Sequence, residues 1–246
     1  MVDRDITATP WLDMTEMSRR LAECFVRSRT RSKGAQQLGE NSYIVGVIGS
    51  AGLGKTETCT NIVQKLQNGR RSAVRVPLDS FLYTRAERES FKVCGYESGD
   101  WRVTLAEAKL HELLILERSI EIESYRAGGE HGDPVRVSPA EFILLDGNYA
   151  VLGGVRRLLT LLIAFTADLE TMRALRFKRD TQPERGRSPQ EAEEVWVKEL
   201  PALKANILPE LAHADIVVEV REDLRRRVIC RGRKTRHLKR TAGAAA

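Results

Sequence analysis

The feature that most constrains this 246-residue chain is the octet Gly49-Ser50-Ala51-Gly52-Leu53-Gly54-Lys55-Thr56. It fits G-x-x-x-x-G-K-[ST] without a mismatch, and average residue usage would produce such a string in roughly one chain of this length in a hundred. A β-branched run, Tyr43–Ile48, precedes it, and a helical pattern from about Lys55 to Asn68 follows. Glycines at these places let the backbone curl until successive N–H groups point inward around a phosphate. The helix behind adds the positive end of its dipole. Lys55 is then placed to reach β- and γ-phosphates, and the Thr56 hydroxyl to ligate Mg2+. An ordinary glycine turn is the alternative, and the strand–loop–helix context argues against it. The chain is expected to bind ATP with Mg2+ through residues 49 to 56.

Such a loop needs a sheet to carry it. Further strands read at Ser72–Val76, Phe142–Leu145, Leu161–Phe165 and Ala214–Val220. One long helix is expected over about Leu105–Glu123, from Leu105, Ala108, Leu113, Leu116 and Ile120. Ser188-Pro189-Gln190-Glu191 reads as a capping box with proline at the first helical position. Strands alternating with helices imply an α/β three-layer sandwich. Its sheet is about five-stranded, parallel and flanked by helices, with functional residues at the carboxyl ends of the strands. At 42 % hydrophobic, the chain has the apolar content for a sizeable core. Residues 1–42 read as an appendage: Thr9 caps a helix that Pro10 opens, with Met14, Met17, Leu21 and Phe25 on one face. That helix is expected to pack on the main domain (residues 43–220) and to fade into a basic linker at residues 27–34. Residues 221–246 form a basic tail.

Charge adds less than it first suggests. The chain has 40 Lys+Arg against 34 Asp+Glu, a net +6. Residues 221–246 hold ten basic and two acidic residues, a balance of +8 that leaves −2 for the rest. A basic balance suggests an anionic partner, but here it describes a tail on a nearly neutral body. The longest apolar stretch, within Leu158–Phe165, is too short to span a bilayer, and the first residues do not read as a secretory leader. Cys24, Cys59, Cys94 and Cys230 form no C-x-x-C pair and read as reduced thiols of a cytoplasmic protein.

The loop alone does not separate kinases from motor ATPases, GTPases and switches. No N-K-x-D or D-x-x-G is present to indicate a GTPase. Several elements follow the loop in order. They are Val76-Pro77-Leu78-Asp79-Ser80-Phe81-Leu82-Tyr83, then Glu97-Ser98-Gly99-Asp100, then Leu144-Leu145-Asp146-Gly147-Asn148-Tyr149. Next come Arg176-Phe177-Lys178-Arg179-Asp180, then Arg185-Gly186-Arg187-Ser188, and finally Ala214-Asp215-Ile216-Val217. Over residues 43–220 this series resembles the uridine kinase/phosphoribulokinase family, which includes bacterial pantothenate kinases. The resemblance implies transfer of the γ-phosphate of ATP to a hydroxyl of a small molecule such as a nucleoside, a pentose or a pentose phosphate.

Phosphoryl transfer needs alignment, charge neutralisation and a place for the hydroxyl proton. Asp79 is the candidate base, or else a turn carboxylate capping the next segment. Asp146 is the candidate for the Mg2+ hydration shell, or else a plain strand-end carboxylate. By resemblance, a lid over about residues 179–188 closes Arg179 and Arg185 on the triphosphate while Arg176 and Arg187 face the acceptor. A solvated charge run is the alternative, and the lid carries one extra residue in Thr181-Gln182-Pro183-Glu184. By resemblance, too, Asp100 hydrogen-bonds acceptor hydroxyls and Tyr83 lines the pocket. Tyr125 and His131 stand where uridine kinases clamp the base, with one extra residue and no aromatic after the tyrosine. A surface loop is the alternative there, and uridine is not assumed. The competing class is a regulatory or nucleic-acid-associated ATPase that uses the tail as its contact. Homo-oligomerisation is left open.

Overall fold

Strands that are apolar on both faces have to be covered on both faces, which favours a parallel sheet between helical layers. The computed structural model describes residues 10–32, 42–91, 96–126, 128–152 and 154–229. Its elements begin with α1 (Met14–Ser32), β1 (Tyr43–Gly49), α2 (Lys55–Asn68), β2 (Ala73–Pro77), α3 (Arg85–Phe91) and α4 (Val103–Leu114). A hairpin of β3 (Ile120–Tyr125) and β4 (His131–Val137) follows, then β5 (Phe142–Asp146), the one-turn α5 (Tyr149–Leu152) and β6 (Leu161–Thr166). The remainder is α6 (Leu169–Asp180), α7 (Pro189–Ala202), β7 (Ile216–Val220) and β8 (Arg226–Ile229).

The main sheet runs β2-β5-β1-β6-β7-β8. Its first five strands are parallel, as expected, and β8 adds an antiparallel edge. Alternate residues feed two cores. Val45, Val47, Leu144, Ile163 and Phe165 face the layer of α1, α2, α6 and α7. Ile44, Ile48, Ile143, Leu145 and Ala164 face α4 and the hairpin. The result is a three-layer α/β sandwich.

Three expectations about elements need correcting. The long helix over Leu105–Glu123 stops at Leu114. The buried face of α4 is Ala106, Leu110, Leu113 and Leu114, whereas Leu116 is 45 % exposed. Beyond it the pattern changes period: Ile120 and Ile122 are buried while Glu121 and Glu123 are exposed, the alternation of a half-buried strand. β3 pairs antiparallel with β4, a hairpin absent from the sequence reading.

The N-terminal helix begins at Met14, not at Pro10. Thr9 lies outside the described residues, and the cap is Asp13, whose carboxylate accepts from Glu16 N–H at 2.8 Å. Leu12 is extended because it pairs with Arg226 through backbone bonds of 2.7 and 2.8 Å, so the helix cannot start earlier. Residues 27–32 are helical rather than a linker. Arg29 explains part of that: it pairs with Glu141 at 2.9 Å and lies over the Phe142 ring. Met17, Leu21 and Phe25 are buried as expected, each contributing about 2 kcal/mol of apolar burial. Residues 33–41 lie outside the described residues.

The capping box of α7 forms from Ser188 and Glu191 as the sequence reading expects, and Asp168 caps α6. The buried Cys24 and Cys59 form no disulfide among the described residues, while Cys94 and Cys230 fall outside them. No helix of the described residues is long and apolar enough to cross a membrane.

Candidate active site

The strand order brings the functional loops together. β1 is central, with β5 beside it and β2 beyond, so the carboxyl ends of these strands are neighbours. The register pairs Asp146 with Val47 on one side and Pro77 on the other. Asp79 follows Pro77 by two residues in a short 3-10 turn, Leu78–Phe81. Gly147, at φ 143°, lets that turn close in: a Cβ there would lie 2.9 Å from Leu78 Cβ and 3.3 Å from Asp79 Oδ1.

The glycine loop has the backbone its composition anticipates. Gly49, Gly52 and Gly54 all have positive φ, and Gly52 is pressed against the backbone of Arg176. Gly49 N–H donates to Asn148 Oδ1 at 2.9 Å, which ties the loop to the end of β5. Ser50 and Leu53 are buried, and Thr56 is exposed in the first turn of α2. Lys55 Nζ donates to the carbonyls of Gly49 and Ser50, both at 2.9 Å.

Charges converge at this place. Burial pulls the Lys55 ammonium below its usual range, against the attraction of Asp146 and Asp79. Burial and the neighbouring Asp146 push the Asp79 carboxyl up, opposed by Lys55, Arg179 and Arg88. Arg75 pairs with Asp146 at 2.8 Å. The buried carboxylate of Asp146, the adjoining carboxylate of Asp79 and an exposed threonine hydroxyl fit Mg2+, which takes one or two carboxylates and keeps most of its waters. Among the described residues there is no cluster of three or more His, Cys, Asp or Glu that would make a closed metal cage.

The lid arginines are organised by a residue that the motif quotes but the sequence reading gave no role. Asp180 is fully buried and accepts from Arg179 at 2.5 and 2.8 Å, from Arg187 at 2.6 Å and from Arg176 at 3.4 Å. Burial opposes its charge, yet Arg179, Arg176 and Arg187 together hold its carboxyl below the usual range. Arg176 is 4 % exposed and pairs with Glu199 at 2.6 Å. It also donates to the Tyr96 hydroxyl at 3.2 Å, and that hydroxyl accepts from Ala51 N–H at 3.1 Å. Arg176 therefore braces the phosphate loop from below rather than lining an open pocket. Arg185 is half-buried; burial, then the nearby Arg179, pulls it below its usual range.

The acceptor-side candidates also assemble. Tyr83 N–H donates to the Asp100 carbonyl at 2.9 Å, and Leu82 bridges to Trp101. The hairpin leans on the same segment, with Tyr125 OH 3.4 Å from the Tyr83 carbonyl and His131 Nε2 3.0 Å from that of Leu82. The glycine-rich connection docks through Arg85 N–H to the Gly129 carbonyl at 2.8 Å, with Ala127 outside the described residues. Sequence reasoning missed Arg88, whose Nη2 donates to Tyr125 OH at 2.9 Å and whose charge acts on Asp79 and Asp100. Only a weak signal existed for it, a basic residue at helical spacing from Arg85. Asp100 is fully buried; one carboxylate oxygen accepts from Glu97 N–H at 2.6 Å, and the other has no hydrogen-bond partner among the described residues.

A parallel sheet with this glycine loop at its central strand, carboxylates on the adjoining strand ends and an arginine-bearing segment after β6 defines a phosphate-loop nucleotide-binding fold. The chain belongs to the phosphoribulokinase/uridine kinase family, whose model matches residues 44–225. It is 32 % identical to uridine kinase-like protein 3 of Arabidopsis thaliana over 183 residues, 72 % of this chain and 39 % of that protein. It is 30 % identical to uridine-cytidine kinase B of Dictyostelium discoideum over 190 residues, 73 % of this chain and 75 % of the other. The chain thus spans about two fifths of the length of the Arabidopsis relative. The fold is shared with D-glycerate 3-kinase from Cryptococcus neoformans at TM-score 0.63 and 13 % identity, over 84 % of this chain and 96 % of that one.

Proposed function

We propose that the protein is a kinase that transfers the γ-phosphate of ATP to a hydroxyl of a small metabolite. The observation that carries this reading is the meeting of Asp79, Asp146 and Lys55 at adjoining strand ends beside the glycine loop. Backbone N–H groups of residues 49 to 56 hold the phosphates, and Lys55 with Arg179 and Arg185 balances their charge. Asp79 takes the proton from the attacking hydroxyl, a role that its raised affinity for protons favours. Mg2+, when bound, neutralises phosphate oxygens, and Thr56 and Asp146 are the residues to hold it. The acceptor is gripped by Asp100, Tyr83 and Arg88, with Tyr125 and His131 of the hairpin on its far side. Arg187 borders the same space from the lid.

Kinase assays with Mg-ATP against nucleosides, pentoses and their phosphates, pantothenate and glycerate test the reading, with uridine and cytidine tried first because of the relatives' names. Asp79→Asn should bind ATP normally and lose transfer by about a hundredfold or more. Wild-type turnover in that variant would remove Asp79 from the chemistry.

A further inference from the structure

Arg226 belongs to the basic tail by sequence, but the fold takes it elsewhere. It is the first residue of β8 and is 1 % exposed. Its backbone is held from both sides, by Val220 of β7 and by the paired bonds to Leu12. That double anchoring fixes the path of its side chain. A Cβ built on Gly54 would meet Arg226 Nη2 at 2.3 Å, so the guanidinium stands against the last glycine of the phosphate loop. The next residue begins α2.

The guanidinium is poorly satisfied there. Nη1 donates to the Leu224 carbonyl at 2.7 Å. Nε and Nη2 are buried with no hydrogen-bond partner among the described residues. Burial pulls its proton affinity down, and Glu57 and Asp13 oppose this from a distance without an ion pair among the described residues. A buried cation without a counter-charge is costly. This one also stands at the positive end of the α2 dipole, which repels it. A single event relieves all of this: an anion arriving at the loop.

We propose that Arg226 binds a phosphate of the nucleotide held by the loop, so that the C-terminal strand completes the nucleotide site. The inference rests on the nucleotide-binding reading of the loop. The planar guanidinium offers parallel N–H donors to phosphate oxygens and keeps its charge even when buried. Gly54 leaves the room that the guanidinium needs to reach the loop.

The test is calorimetric titration of MgATP, MgADP and magnesium pyrophosphate into wild-type protein and Arg226→Met, with the ligand-free melting temperature measured beside it. Methionine keeps much of the apolar stem and removes the charge. The dissociation constants should rise about tenfold to a hundredfold, the scale of a charge-assisted hydrogen bond. The ligand-free melting temperature should hold or rise, because an unpaired buried charge has gone. Unchanged affinity in Arg226→Met overturns the inference, all the more if the melting temperature falls, as a merely structural arginine requires. Should Arg226→Met not fold, Arg226→Gln carries the same expectation and the same refutation. Wild-type protein that binds none of the three ligands sinks the nucleotide reading and this inference with it. Binding that is intact in wild type and unchanged in the variants sinks this inference alone.

Discussion

Asp100→Asn should separate a functional carboxylate from a structural one through the pH dependence of stability. Asp100 is fully buried, and burial raises its carboxyl from 3.8 to about 6, against the Glu97 N–H and Arg88, which lower it. Raising the folded-state value means that the folded protein prefers the neutral acid. The favourable contribution is complete below about pH 4 and is lost as pH rises through about 6. Roughly two pK units at about 1.4 kcal/mol each give a loss of about 3 kcal/mol. Asparagine is nearly isosteric and can still accept from Glu97 N–H, but it does not titrate. Urea denaturation of both proteins from about pH 4.5 to 8 would show the variant gaining on wild type by about 2 kcal/mol across that interval, part of the effect lying below it. Any constant offset from the new amide cancels in the comparison. A stability difference that does not change with pH would refute the reasoning, because Asp100 would then titrate alike in the folded and unfolded chains.

Arg176→Met should cost about 3–5 kcal/mol in denaturant titration, since Glu199 and part of Asp180 would be left as buried charges without their partner. A cost under about 1 kcal/mol would mean that the pair is solvated and that Arg176 does not brace the loop. Ser188→Ala removes the acceptor for Glu191 N–H and the reciprocal capping box, and should lower stability by about 1 kcal/mol without changing the family-like lid arginines. No loss would show that α7 starts elsewhere in solution.

Local rules sufficed for much of this protein. The glycine octet, the capping box of α7 and the five parallel strands are written in neighbouring residues, where steric limits and short-range hydrogen bonds decide. The hairpin was harder to see because a short apolar run does not declare its period when a helix precedes it. Ile120 continues the spacing of Leu113 and Leu116 closely enough to mislead, and only the burial of Ile122 beside it and the pairing with β4 distinguish strand from helix. The start of α1 was misplaced for another reason. Its position depends on Leu12 pairing with Arg226, over two hundred residues away.

The candidate site divides in the same way. Its amino acids were legible in sequence: Lys55, Asp79, Asp146 and the lid arginines stand in short motifs whose chemistry is local. Their assignments were not, because a guanidinium's role depends on what lies within a few ångströms of it. Asp180 gathers Arg176, Arg179 and Arg187, Arg88 reaches Tyr125, and Arg226 arrives at Gly54 from the far edge of the sheet. The net charge of the tail suggested a surface feature, yet Arg227 pairs with Glu219 and Arg221 lies over the Trp11 ring. The sequence by itself determined that the chain has a phosphate loop on a parallel sheet, since that needs only contiguous residues. Tertiary structure alone decided which arginines gather on Asp180 and Glu199 and which one stands against Gly54, because long-range contacts choose the partner of a charge.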